Sequence, residues 1–388
     1  MNKQYANVAG AGMDVHRKFS NVTLRDAHGD VVVREKIKHE DRRRLQWWFS
    51  QWPTGLDVVL EASFGWAWLT DVMLEAGLRP RLSNCFKVEK MRQARGWVKT
   101  NKKDADLVSL MPFERGDWWE VWLAPPEVRD HREWMRYRSD LVGVQTETKN
   151  RIHAVFHRHG VFHEYTNVFR GSGRLFLSEL CRDGGGLLSG GALAALRGQV
   201  RLLDHIRGQL AEIAKTLRKE IKVDALIRRL MTIPGVGLIL AATLRAEIGR
   251  IDRFAGESKL AAYSLLAPRS DDTGESDQSR APTGRHLGHQ GNHTLKWAFI
   301  EAAHGAVRHG GRWRAMFDRY TDNGKKNRGR GYIKIARTLV KIVYVIWNKQ
   351  TDYTETPPPR SGSKTSTKMN KKKRKLHLVR ERASSMPL

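Results

Sequence analysis

Ala11-Gly12-Met13-Asp14-Val15 and Val58-Val59-Leu60-Glu61-Ala62 are two short apolar runs that each end on a carboxylate. Runs of this length, rich in apolar and β-branched residues, read as strands covered on both faces. A third acid, Asp104, follows in Lys99-Thr100-Asn101-Lys102-Lys103-Asp104-Ala105, which reads as the start of a helix. If the two strands are neighbours in one sheet, Asp14 and Glu61 come together at its edge. Asn101 lies one helical turn from Asp104 on the same face, because residues three apart are neighbours, whereas Asp106 faces away. Like charges held this close raise each other's pKa, and a bound cation removes that penalty. Such oxygen donors suit Mg2+, which favours octahedral oxygen coordination and keeps several waters. Asp14, Glu61, Asn101 and Asp104 are therefore the candidate metal ligands, and the three acids are candidate catalytic groups.

Outward from these runs, residues 1–125 read as an α/β domain. Val22-Thr23-Leu24 and Val31-Val32-Val33 flank Asp26-Ala27-His28-Gly29-Asp30, a hairpin signal. Residues 66–76 read as a helix stopped by Gly77, and residues 78–82 as a further strand. Residues 126–222 read as long helices. One carries the stripe Leu141, Val144, Thr148, Ile152 and Val155. Another carries Leu203, Ile206, Leu210, Ile213 and Leu217 at heptad spacing, which suits either a coiled coil or an amphipathic core helix. Residues 223–350 read as mostly α. Residues 351–388, with Lys371-Lys372-Lys373-Arg374-Lys375, read as a disordered basic tail.

Composition narrows the partner. Among 388 residues, 69 Lys and Arg stand against 41 Asp and Glu, a formal charge of +28. An excess of this size calls for a polyanion, because neutralised phosphates release condensed counterions. Arg136 and Arg151 on the first long helix, and Lys325, Lys326 and Arg328 in a loop, are candidate nucleic-acid contacts. So are Gly235 and Gly237 of Ile233-Pro234-Gly235-Val236-Gly237, a turn that can aim backbone N–H groups at phosphate. No apolar run reaches the length of a membrane span, and the N-terminus lacks the core of a signal peptide. Two distant cysteines, Cys85 and Cys181, fit a reducing cytoplasm.

Met13-Asp14 with His16-Arg17-Lys18, then Leu60-Glu61-Ala62-Ser63-Phe64-Gly65, then residues 99–105 together resemble the RuvC-like DEDD domain of a transposase family. It is the insertion-sequence family numbered one hundred and ten, whose members are guided by a bridge RNA. The resemblance runs from Val8 to Trp347. That family usually has an acid where this chain has Asn101. The resemblance implies an RNase H-like N-terminal domain, a helical coiled-coil insert and a mostly helical serine-bearing transposase domain. It further implies Mg2+, a bridge-type guide RNA, donor and target DNA, and a homodimer or homotetramer at the bacterial nucleoid. Finally, it implies a nucleophilic serine in the polar loop before Gly291. Ser276 fits the spacing best, with Ser270, Thr273 and Ser279 as further candidates. Two other readings stay open: a RuvC-like junction nuclease with no covalent step, and a nucleic-acid binder whose metal site has decayed.

Overall fold

In the computed structural model, residues 3–98, 100–116, 118–267 and 290–355 are described. Ser270, Thr273, Ser276, Ser279 and the basic tail beyond residue 355 lie outside them, as does the side chain of Asn101. The chain divides into two compact units, Met1–Pro126 and Glu127–Leu388.

The first unit is built on one six-stranded sheet. Its elements are β1 (Gly10–Val15), β2 (Phe19–Arg25), β3 (Val31–Lys38), α1 (Arg42–Ser50), β4 (Asp57–Glu61), α2 (Trp66–Glu75), β5 (Arg79–Ser83), α3 (Cys85–Ala94), α4 (Asn101–Val108) and β6 (Glu120–Val121). The sheet order is β3-β2-β1-β4-β5-β6. β1, β4 and β5 run parallel at its centre, while β2, β3 and β6 are antiparallel to their neighbours. Alternation along the strands assigns the two faces. Ala11, Met13, Val58 and Leu60 pack into one core with residues of α1 and α2. Val59 packs on the opposite side with Val88, Met91, Leu107, Val108 and Trp119. Strand parity therefore sends Gly12, Asp14 and Glu61 to the α3–α4 face.

Local signals set the ends of these elements. Gly29 takes φ +85° in the β2–β3 turn, where Asp26 Oδ1 accepts from the His28 and Asp30 amides at 2.9 and 3.0 Å. Asp41, Asn84 and Thr100 cap α1, α3 and α4 by accepting backbone N–H groups in the first turn.

The second unit is helical: α5 (Pro126–Arg158), α6 (Gly171–Asp183), α7 (Gly190–Val223), α8 (Ala225–Met231), α9 (Leu238–Ile248), α10 (Glu257–Tyr263), α11 (His293–His309), α12 (Gly311–Thr321) and α13 (Arg328–Lys349). Its main core joins α8–α13 to Met135 and Leu141 of α5 and to Ile206, Ile213 and Leu217 of α7. A smaller core joins the far ends of α5 and α7 to α6, through Ile152, Val155, Leu177, Leu196 and Leu203. The heptad seam of α7 thus faces the chain's own interior along its length. Gly235 (φ +85°) fits directly against α11, where a Cβ would stand 2.2 Å from the Ala306 amide nitrogen. Among the described residues no helix is long and apolar enough to cross a membrane.

Candidate active site

Asp14 and Glu61 are brought together by register. Met13 pairs with Leu60 across the parallel β1–β4 ladder, and each carboxylate is the next residue on its strand. Neighbouring strands lie about 4.8 Å apart, and both side chains leave the same face. Asp104 is delivered by α4. Thr100 Oγ1 accepts from the Lys103 amide at 3.3 Å, and the Thr100 carbonyl accepts from the Asp104 amide at 2.9 Å, so Asp104 sits in the first turn.

All three acids line a single cavity of about 450 Å³, with His16, Cys85, Phe86, Val88, Glu89 and Arg92 completing the wall. His16 Nε2 lies 2.9 Å from Asp14 Oδ2, and its ring packs on Phe19. The Cys85 thiol is pushed up to about 11, first by burial and then by the charge of Glu61, which also accepts its hydrogen bond. Arg92 pairs with Glu89 and donates to the Trp97 carbonyl at 3.0 Å. Asp106 belongs to another set of contacts, as its position two residues on requires. It accepts from Thr23 Oγ1 at 2.7 Å and from Arg34 Nε at 2.8 Å. Burial opposes its ionisation, but the bonds from Arg34 and Thr23 outweigh that and hold its carboxyl below the usual carboxylate range.

Carboxylate oxygens facing one cavity are the donor set that hard divalent ions select. Among the described residues, no three His, Cys, Asp or Glu side chains are grouped closely enough to hold an ion as they stand. The acids therefore line a shared cavity and do not form a closed coordination shell.

Sequence reasoning missed Gly12. On the acid-bearing face, its missing side chain makes room for the end of α4. A Cβ there would meet Ser109 N at 2.1 Å, Ser109 Cα at 2.4 Å and the Val108 carbonyl carbon at 2.7 Å. Ser109 is five residues beyond Asp104, about 7.5 Å along a helix, and Asp14 is about 6.6 Å beyond Gly12 along a strand. The contact at Gly12 thus sets how far α4 approaches and where Asp104 meets Asp14. Buried Arg25 fastens the same helix end, donating to Ser109 Oγ at 2.6 Å and to the Asp106 carbonyl at 3.1 Å. The signal was a glycine two residues before a strand-end acid, which only the helix packed above it explains.

The other candidate residues lie in the second unit. Arg136 is engaged in a bidentate pair with the fully buried Glu247, at 2.8 and 3.0 Å. Arg132 donates to the Ala246 and Glu247 carbonyls, and Asn292 Nδ2 donates to Glu247 Oε2 at 2.7 Å. Asn292 also caps α11, and its amide donates to the Tyr263 carbonyl at 2.7 Å. These bonds tie α5, α9, α10 and α11 together. Arg151 pairs with Glu147 one turn away. Lys325, Lys326 and Arg328 are exposed ahead of and within the first turn of α13. Gly235 is accounted for by its packing on α11, whereas Gly237 is exposed at the start of α9.

Residues 11–160, which contain all three acids, match a transposase family of the IS110 DEDD type. Residues 227–318 match the family described as "Transposase IS116/IS110/IS902 family". The two matches fall in order along the chain and together take in more than half of it. The chain belongs to the IS110 family of transposases. A "Probable family 20 transposase" of Pseudomonas aeruginosa is 22% identical over 304 residues, 78% of this chain and 85% of the relative. An "Insertion element IS110 uncharacterized 43.6 kDa protein" of Streptomyces coelicolor is 28% identical over 129 residues, 33% of this chain and 30% of the relative. IS110 membership makes the chain a DNA transposase, a recombining enzyme, and gives the charge of +28 its polyanion. The DEDD type points to dependence on a divalent metal.

Proposed function

We propose that this transposase cuts and rejoins DNA through a covalent phosphoserine, with Ser276 as nucleophile and Mg2+ held by Asp14, Glu61, Asp104 and Asn101. The observation that carries the reading is the convergence of Asp14, Glu61 and Asp104 on one cavity from two adjacent strands and a helix. The strand order, with β2 antiparallel beside parallel β1, β4 and β5, supports an RNase H-like domain. A divalent ion held there would supply Lewis-acid polarisation of the scissile phosphate.

The serine hydroxyl is a weak nucleophile until its proton is removed. Its Oγ–P bond forms as the P–O bond to the leaving strand breaks, and the departing oxygen takes up a proton. A hydroxyl of the incoming strand then reverses the exchange, so the backbone bond is conserved without a nucleotide cofactor. Arg92, paired with Glu89 on the cavity wall, adds positive charge near a bound phosphate.

A bridge-type guide RNA supplies target choice in this reading. Gly237, Arg151, Lys325, Lys326 and Arg328 contact nucleic-acid backbone, and Arg136 acts through Glu247. An apolar groove of about 470 Å³ between α5 and α7, lined by Trp134, Tyr137, Gly208 and Ile213, supports pairing of copies into a homodimer or homotetramer.

The test is strand exchange on element-end DNA with co-purified RNA. Ser276→Ala is expected to abolish exchange and the covalent protein–DNA adduct, and Asp14→Asn to abolish all cleavage. Exchange that survives combined alanine substitution of Ser270, Thr273, Ser276 and Ser279 ends the covalent reading. Cleavage that ignores Asp14→Asn and EDTA ends the metal reading.

A further inference from the structure

The turn joining α5 to α6 carries features that the acidic cavity does not use. Between Lys149 and Arg174 the chain has five Lys and Arg, four His and one acid, Glu164. Val161, Val168 and Phe169 of this turn are buried in the small core with Ile152, Phe156 and Leu177. Phe162, next to Val161, is 90% exposed, and Tyr165 is exposed as well. Arg158, His159 and Arg170 are exposed beside them in sequence.

The turn that carries Phe162 is held by specific contacts. Arg207 donates to the Phe169 carbonyl at 2.9 Å, and Asn167 Oδ1 accepts from the Phe169 amide at 2.9 Å. Gly173 lies so close to the turn that a Cβ would stand 2.4 Å from the Asn167 carbonyl oxygen. The His163 ring stacks with Tyr165 and tilts against Phe176.

Positive charge accumulates there. Two neighbouring acids are already paired, Glu147 with Arg151 and Asp204 with Arg174 and Arg207, which leaves the exposed Glu164 as the one acid of the turn itself against Arg158 and Arg170. Burial, then the charges of Arg207 and Arg170, depress the Lys149 ammonium. Burial, then His163 and His157, do the same to the His153 imidazole. An exposed phenyl ring on a turn of net positive charge, beside the exposed Arg158 and Arg170, fits a partner with flat rings and regular negative charge. Unpaired bases on a phosphate backbone have both, whereas paired bases keep their faces stacked inside the duplex. DNA is the substrate of a transposase, and strand exchange frees unpaired DNA.

We propose that the α5–α6 turn docks an unpaired DNA strand, one base stacking on Phe162 while Arg158 and Arg170 meet flanking phosphates. The inference does not depend on the metal or the serine.

The experiment is fluorescence anisotropy of full-length protein with labelled oligo-dT of about 20 nucleotides, the matching oligo-rU and a duplex of equal length. Phe162→Ala is expected to weaken oligo-dT binding about 5- to 150-fold, the size of one lost base stack, and to leave duplex binding unchanged. Phe162→Trp is expected to keep wild-type binding. Arg158→Ala with Arg170→Ala is expected to flatten the salt slope by roughly 1.4, since each neutralised phosphate on a single strand contributes about 0.7. Wild-type affinity of Phe162→Ala for oligo-dT overturns the proposal. So does an equal loss on duplex, or a loss on oligo-rU that exceeds the loss on oligo-dT.

Discussion

Gly12→Ala adds a single carbon where α4 already lies. Its Cβ would stand 2.1 Å from the Ser109 amide nitrogen, and the neighbouring atoms are also backbone. Comfortable contact begins near about 3.5 Å, so the end of α4 must retreat by about 1.4 Å. The retreat is resisted by the Arg25 bond to Ser109 Oγ at 2.6 Å and by the Thr23 and Arg34 bonds to Asp106. Overpacking of this type costs about 1–3 kcal/mol. Reduced freedom of the unfolded chain offsets about 0.4–1 kcal/mol of that. The net loss, about 1–2 kcal/mol, is expected to lower the melting temperature by several degrees. Asp104 rides on the displaced helix. A shift of about 1 Å in a catalytic group can slow chemistry on the order of 100-fold.

Differential scanning calorimetry measures the first effect, and a divalent-ion titration of DNA cleavage measures the second. The ion midpoint is expected to rise while DNA affinity stays unchanged, because no nucleic-acid contact has been touched. Gly143→Ala is the control. It lies within α5 with nothing near its would-be Cβ, and is expected to stabilise by about 0.5–1 kcal/mol. A Gly12→Ala protein that melts with the wild type and keeps its ion midpoint refutes the argument that this contact sets Asp104.

Glu247→Gln is expected to cost about 3 kcal/mol, the lower end for breaking a buried ion pair, because the half-exposed Arg136 side chain can turn toward water. Denaturant unfolding checks it, and a loss below about 1 kcal/mol would contradict the buried network. Cys85 is expected to resist iodoacetamide near pH 8. With its pKa raised to about 11, only about one thiol in a thousand is thiolate there. Reactivity should climb about tenfold per pH unit toward 11, and Glu61→Gln should shift that rise to lower pH. A half-maximal rate near pH 8.5 in a Cys181→Ser background would show that Cys85 lies free of burial and of Glu61.

Period-2 burial and strand-end position are local properties, so Asp14 and Glu61 could be read as neighbours from Met13-Asp14 and Leu60-Glu61 alone. The hairpin at Asp26–Asp30 and the caps of α1, α3 and α4 are equally local, each closed by side chains within a few residues. Arg136 shows where that legibility stops. On the sequence it is one more cation of a basic helix, yet its partner Glu247 lies 111 positions away and is buried by four helices. Gly235 reads as a turn glycine in the sequence, and only the fold shows that α11 packs directly against it.

Composition and periodicity dictated a basic protein with an acid-tipped α/β sheet followed by long helices, because charge count and residue spacing need no folding to be evaluated. Tertiary structure alone decided that α4 descends on Gly12 and that the α7 seam turns inward. Those outcomes depend on excluded volume and buried charge between residues remote in the chain. Neither leaves a pattern in the sequence until both partners are in place.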